Sequence, residues 1–64
     1  MPIKILRLPA VIELTGLSRI SIYLRMSNNE FPLPVSLGGR AVGWVEADVE
    51  QWLTDKIERS RGVN

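Results

Sequence analysis

The stretch Leu14-Thr15-Gly16-Leu17-Ser18-Arg19 decides how this chain folds. It joins two apolar-faced segments within a few residues, and each end of the join carries its own signal. Gly16 stands where a helix can end in a left-handed backbone conformation, which a residue without a Cβ adopts at least cost. Ser18 opens the next helix, because its hydroxyl can accept a hydrogen bond from a free N–H of the first turn. Leu17 before it and Ile22 after it are spaced for a hydrophobic staple. Toward the N-terminus, Pro9 suits a first helical turn, where its missing N–H is not needed. Ala10, Val11 and Leu14 supply an apolar face, so a helix is expected over about residues 9–15. Toward the C-terminus, Ile22 and Met26 share a face, while Ser27-Asn28-Asn29 competes with helical hydrogen bonding. The second helix is therefore expected over about residues 18–27. Two short helices joined this tightly predict a helix-turn-helix.

The flanking segments complete the architecture. Ile3-Lys4-Ile5-Leu6-Arg7 alternates enough to allow a short strand. Phe31-Pro32-Leu33-Pro34 cannot continue a helix or occupy a central strand, and Phe31 is expected to anchor this connector in the core. Residues 35–45 read as a hairpin whose two-residue turn is Gly38-Gly39. That register sets Val35 opposite Val42, with Trp44 on their face. From Glu46, the spacing of Val49, Trp52, Leu53 and Ile57 predicts an amphipathic helix over about residues 46–59. Glu46, Asp48 and Glu50 crowd its start and Lys56 and Arg59 lie near its end, as the helix dipole favours. Both tryptophans are expected in the core, and Gly62-Val63-Asn64 is expected to fray. The fold class is mainly α with a small β-hairpin: a winged helix-turn-helix, with residues 1–64 as one domain.

Bulk properties narrow the function. At 64 residues the chain holds one domain at most, near the lower limit for independent folding. It has no Cys and no His, which excludes disulfides and any ordinary zinc site. Without those groups or a convergent carboxylate pair, no catalytic residues, metal or cofactor are expected, and the chain is not read as an enzyme. Gly38-Gly39 lacks the spacing of a phosphate-binding loop. No signal-peptide pattern and no apolar run of ~20 residues is present, so a cytoplasmic protein without membrane contact is expected. The net charge of +1 hides an asymmetry. Residues 1–45 carry five basic and two acidic side chains, or +3, and residues 46–64 carry three and five, or −2. A basic front and an acidic back can present one face to a polyanion.

The second helix and the hairpin tip carry the candidate functional residues. In a helix-turn-helix, the N-terminal residues of the second helix enter the major groove. Arg19 lies there; its guanidinium can bond guanine O6 and N7 together, or grip a phosphate. Ser18, Ser21 and the free N–H groups of the same turn can reach phosphate oxygens. Ile20 and Leu24 lie off the Ile22/Met26 face, suited to thymine methyls or to a dimer contact. Tyr23 reads as half-buried packing with a hydroxyl that can reach the backbone. Arg25 can contact phosphate or pair with an acid. Arg40, beside two glycines at the hairpin tip, is positioned for a phosphate or the minor groove.

With those residues in place, the chain resembles the AlpA family of phage and prophage regulators, which sits close to excisionases and MerR-like winged helices. The resemblance rests on Leu6–Val11, Leu14–Arg19, Ile22-Tyr23, Phe31–Val35, Leu37–Trp44 and Glu46–Leu53, in family order along nearly the whole chain. It implies a protein that binds double-stranded DNA at a promoter, or helps an integrase excise an integrated element. The family's helix-turn-helix role falls on Ser18–Met26 and its wing role on Arg40. Leu24 departs from the basic or polar residue of many members, and Asn28-Asn29 replaces a stretch that is often basic. Double-stranded DNA is thus the expected partner, with an integrase or further copies of the chain beside it. The alternative is a protein-interaction adaptor, antitoxin-like or integrase-binding, with weak DNA contact; exposed Ile20 and Leu24 favour it.

Overall fold

The computed structural model of the chain describes residues 2–62. These form, in order, β1 (Ile5–Leu6), α1 (Leu8–Thr15), α2 (Arg19–Ser27), β2 (Val35–Gly38), β3 (Ala41–Val45) and α3 (Glu46–Ser60). The strands make an antiparallel sheet of order β1-β3-β2. Val63 and Asn64, part of the segment expected to fray, lie outside the described residues.

The α1–α2 turn is built as its sequence dictates. Gly16 adopts φ +75° and donates its N–H to the Ile12 carbonyl at 2.8 Å, closing α1 in the conformation that glycine takes at least cost. Ser18 accepts a hydrogen bond from the Ser21 N–H at 3.1 Å and caps α2. Thr15 adds a contact that the sequence reading did not assign. Its hydroxyl donates to the Val11 carbonyl at 2.8 Å and accepts from the Leu17 N–H at 3.2 Å, so one side chain ties both sides of the turn.

At its far end α2 stops at Ser27. Asn29 takes φ +58°, and the N–H groups of Asn29 and Glu30 donate to the Met26 and Arg25 carbonyls at 3.1 and 2.7 Å. This is a Schellman-type end, with asparagine in the position glycine more often fills. The two indoles then hold the connector: Trp52 Nε1 donates to the Glu30 carbonyl at 2.7 Å, and Trp44 Nε1 to the Pro32 carbonyl at 3.0 Å. Between those carbonyls, Phe31 is buried and meets Trp52 edge-on at 4.8 Å between ring centroids.

The core is Leu6, Val11, Ile22, Phe31, Trp44 and Val49. Among the described residues, β1, α1, α2, the connector, β3 and α3 each supply one of these side chains, and β2 supplies none. Three expectations need correction. Trp52 is half-buried, because its ring covers the connector instead of entering the centre. Ile57 is 48% exposed, since the last turns of α3 run past the core. Leu14, in the last turn of an eight-residue α1, is also exposed, whereas Val11 one turn earlier is fully buried.

The hairpin register differs from the expected one. Its turn is Gly39-Arg40, with Gly38 paired to Ala41, Ser36 to Val42 and Val35 to Gly43. Val35 therefore does not face Val42, and it lies on the sheet face away from Trp44. Gly39 at φ +57° suits the first central position of a type II′ turn. Gly38 adopts φ +106°, another backbone conformation that side chains disfavour. The register shift is absorbed by an irregularity between Ser36 and Gly38, which leaves Leu37 as the extra residue.

The short β1 needs glycine on its partner strand. A Cβ at Gly43 would collide with Ile5 Cγ2 and stand 3.1 Å from the Leu6 carbonyl oxygen. β1 also closes onto α3: the Glu46 N–H donates to the Lys4 carbonyl at 2.8 Å, and Lys4 Nζ stands 3.7 Å from Glu46 Oε2. The backbone bond gives a partner to an N–H at the start of α3, whose N-cap, Val45, has no capping side chain.

Candidate nucleic-acid interface

Fully buried Ile22 fixes how α2 is rotated. At about 100° per residue, Ile20 and Leu24 each lie about 200° around the helix from Ile22, which makes them its outward ridge. Their exposures, 78% and 61%, agree. Arg19, Ile20, Tyr23, Leu24 and Ser27 line one shallow depression along this face, of about 370 Å³. No acidic residue occurs anywhere in α2.

The site residues expected from sequence separate into three groups. Arg19, Ile20 and Tyr23 lie together on the outward strip, joined there by Leu24 and Ser27. The spacing Ile20-Leu24 and Tyr23-Ser27, one helical turn each, is the signal that would have added Ser27 to the set. Ser18 and Ser21 form the cap itself: the Ser18 hydroxyl donates to Ser21 Oγ at 3.1 Å and accepts from the Ser21 N–H. Their role is first to fix the start of the helix.

Arg25 and Arg40 stand apart from the strip. The Arg25 guanidinium carbon lies 5.8 Å over the Trp52 ring, and Lys56 Nζ lies 5.4 Å from the same ring. Arg25 is thus held on the α3 side of α2, with an indole for its partner and not an acid. Arg40 is exposed in the hairpin turn. Neither Arg19 nor Arg40 is ion-paired among the described residues, so both guanidinium groups can meet an external anion.

A second, larger groove of about 650 Å³ runs between the connector and α3. Glu30, Asp48 and Asp55 line it beside Lys56 and Arg59. Its mixed charge suits a polyanion less well than the acid-free surface of α2. Among the described residues no cluster of three or more His, Cys, Asp or Glu side chains could hold a metal ion, and no helix is long and apolar enough to cross a membrane.

A tight helix pair followed by a β-hairpin and a packed third helix defines a small winged helix-turn-helix domain. The family model described as "Prophage CP4-57 regulatory protein (AlpA)" matches residues 4–57. The chain belongs to this family. It is 45% identical over 62 residues to "Uncharacterized protein ORF88" of Enterobacteria phage P4, an alignment spanning 95% of this chain and 70% of that protein. It is also 40% identical over 62 residues to the "DNA-binding transcriptional activator AlpA" of Escherichia coli (strain K12), spanning 88% of this chain and 89% of that one.

Proposed function

We propose that this chain is a sequence-specific double-stranded DNA-binding regulator of phage or prophage type, with α2 entering the major groove and the hairpin tip lying along the backbone. The observation that carries this reading is the surface of α2: outward-facing, free of acidic side chains, and capped at an N-terminus that bears Arg19. Family membership and a relative named as a DNA-binding activator support it. In this reading Arg19 contacts a base edge or a phosphate, and Ser18, Ser21 and the first-turn N–H groups serve phosphate oxygens. Arg40 contacts a phosphate or the minor groove, and Tyr23 and Arg25 serve the backbone on either flank.

A single module buries only roughly 600–1,000 Å² on DNA, so tight binding calls for several copies on adjacent sites. The regulator acts at a promoter, or as a recombination directionality factor beside an integrase; a reporter assay and an excision assay separate the two. The test of DNA binding itself is a titration across salt concentrations. Each neutralised phosphate contributes about −0.9 to the slope of log affinity against log salt, so a handful of contacts gives a clear decline. An affinity that stays flat from low to moderate salt contradicts the proposal.

A second reading is favoured by one specific observation, the exposure of Ile20 and Leu24. An adaptor docked through that ridge onto an integrase or a toxin would bury it against protein. Footprinting with the chain alone discriminates: protection without any partner supports the DNA reading, and protection only with a partner supports the adaptor.

A further inference from the structure

Beyond Arg19 in its first turn, the outward ridge of α2 carries no group suited to bidentate hydrogen bonding with a base. Exposed Ile20 and Leu24 are aliphatic, and Ser27 closes the strip one turn beyond Tyr23. Guanine is usually read by arginine or lysine and adenine by asparagine or glutamine, and past Arg19 neither pair of types stands on this ridge. One base-edge feature of the major groove is recognised by apolar contact, namely the thymine C5-methyl group. Resting on the DNA-binding reading above, we infer that Ile20 and Leu24 are specificity-determining residues that read thymine methyl groups, so that the core of the bound site is thymine-rich under the middle of α2.

The geometry sets the spacing of those thymines. Residues four apart on a helix are separated by about 6 Å along its axis, at about 1.5 Å per residue. Successive base pairs are about 3.4 Å apart. A helix lying along the groove therefore sets Ile20 and Leu24 about two base steps apart. The contacts lie on one side of Arg19, which precedes Ile20 in the first turn and reaches the flanking base or phosphate. Charge complementarity favours DNA as the occupant of this ridge: Arg19 lines it and α2 carries no acid. The hydrophobic ridge and the cationic first turn then have separate tasks, the one choosing sequence and the other holding the polyanion.

The test uses the full chain and a duplex selected by it from a random-sequence library. Each thymine of that duplex is replaced in turn by deoxyuridine, which deletes the methyl group and leaves the sugar, the phosphate and the hydrogen-bonding edge unchanged. Two positions about two steps apart are expected to lose about fourfold in affinity, the loss that follows from exposing one buried methyl. Ile20→Ala is expected to abolish sensitivity at the position nearer the base or phosphate contacted by Arg19, and Leu24→Ala at the other. Both residues are exposed, so the variants retain the fold, which circular dichroism and unchanged thermal unfolding verify. If a selected duplex binds with normal salt dependence and no deoxyuridine substitution matters, methyl reading is overturned while DNA binding stands. Sensitivity that persists in both alanine variants overturns the assignment to these residues. Should the library yield no bound duplex, DNA binding and methyl reading fall together. Loss of self-association in the alanine variants, with deoxyuridine still without effect, assigns the ridge to a protein contact instead.

Discussion

Two glycine-governed bends shape this molecule, and they are anchored very differently. The bend at Gly16 sits between Val11 and Ile22, both fully buried, and is crossed by the two hydrogen bonds of the Thr15 hydroxyl. The bend at Gly39 closes a hairpin whose β2 is an edge strand with all four residues exposed, and whose ladder is interrupted at Leu37. Both glycines hold positive φ in open space, yet only the first transmits its conformation to a buried interface. A helix that must present side chains in a fixed register needs the first kind of support. A tip that, in the proposed complex, grips a uniform phosphate backbone can work with the second, since phosphate contacts carry no direct sequence information.

The contrast can be broken most forcefully in the packing. Ile22→Ala is expected to destabilise the chain by about 2–5 kcal/mol, enough to threaten folding in a domain this small. Leu37→Ala is expected to stay within about 0.5 kcal/mol, as surface changes usually do. Urea unfolding of the two variants measures the difference, and equal losses would mean that the hairpin is as deeply anchored as α2. Next in size are the bends themselves. Gly16→Ala and Gly39→Ala each force a side chain into left-handed backbone, at a cost of about 1–2 kcal/mol. Their stabilities should therefore fall alike, while DNA affinity should fall further for Gly16→Ala because α2 is reoriented. Ser18→Ala removes the cap of α2 and is expected to cost about 1 kcal/mol by the same unfolding measurement.

The arginines sharpen the comparison at the level of recognition. Arg19→Ala is expected to cost roughly 1–3 kcal/mol of binding and to relax preference at one base pair if it reads guanine. Arg40→Ala is expected to weaken all sequences equally and to reduce the salt slope by about one contact. Affinities of both variants over a panel of single-base substitutions at two salt concentrations test this. A base-specific loss at Arg40, with a uniform one at Arg19, would exchange their roles.

Much of this arrangement is legible in the sequence, and the exceptions have physical causes. The Gly16 stop and the Ser18 cap are local signals, complete within one turn of helix, so residue identity is enough to read them. The resemblance to the AlpA family likewise rests on blocks that the family match covers. The hairpin register was not legible, because three candidates for a tight turn, Gly38, Gly39 and Arg40, stand together. The choice among them depends on pairing that an irregular ladder can slide by one residue. The placement of Arg25 over Trp52 was not legible either, since those residues lie on different helices. The role of Thr15 carried a faint signal, a hydroxyl one residue before a helix-ending glycine. The ends of the apolar faces were overread at Leu14 and Ile57: periodicity shows which side of a helix is apolar, but not how far the core extends beneath it.

The central claim, that α2 and not α3 lies against the duplex, has a direct measurement. The chain has no cysteine, so Asn28→Cys at the end of α2 and Glu58→Cys near the end of α3 each create a unique attachment point for an iron chelate that cleaves nearby DNA strands. The chelate on Asn28→Cys is expected to cut within the protected site, and the one on Glu58→Cys to leave it intact. Cutting from the α3 position, with none from α2, would contradict the account.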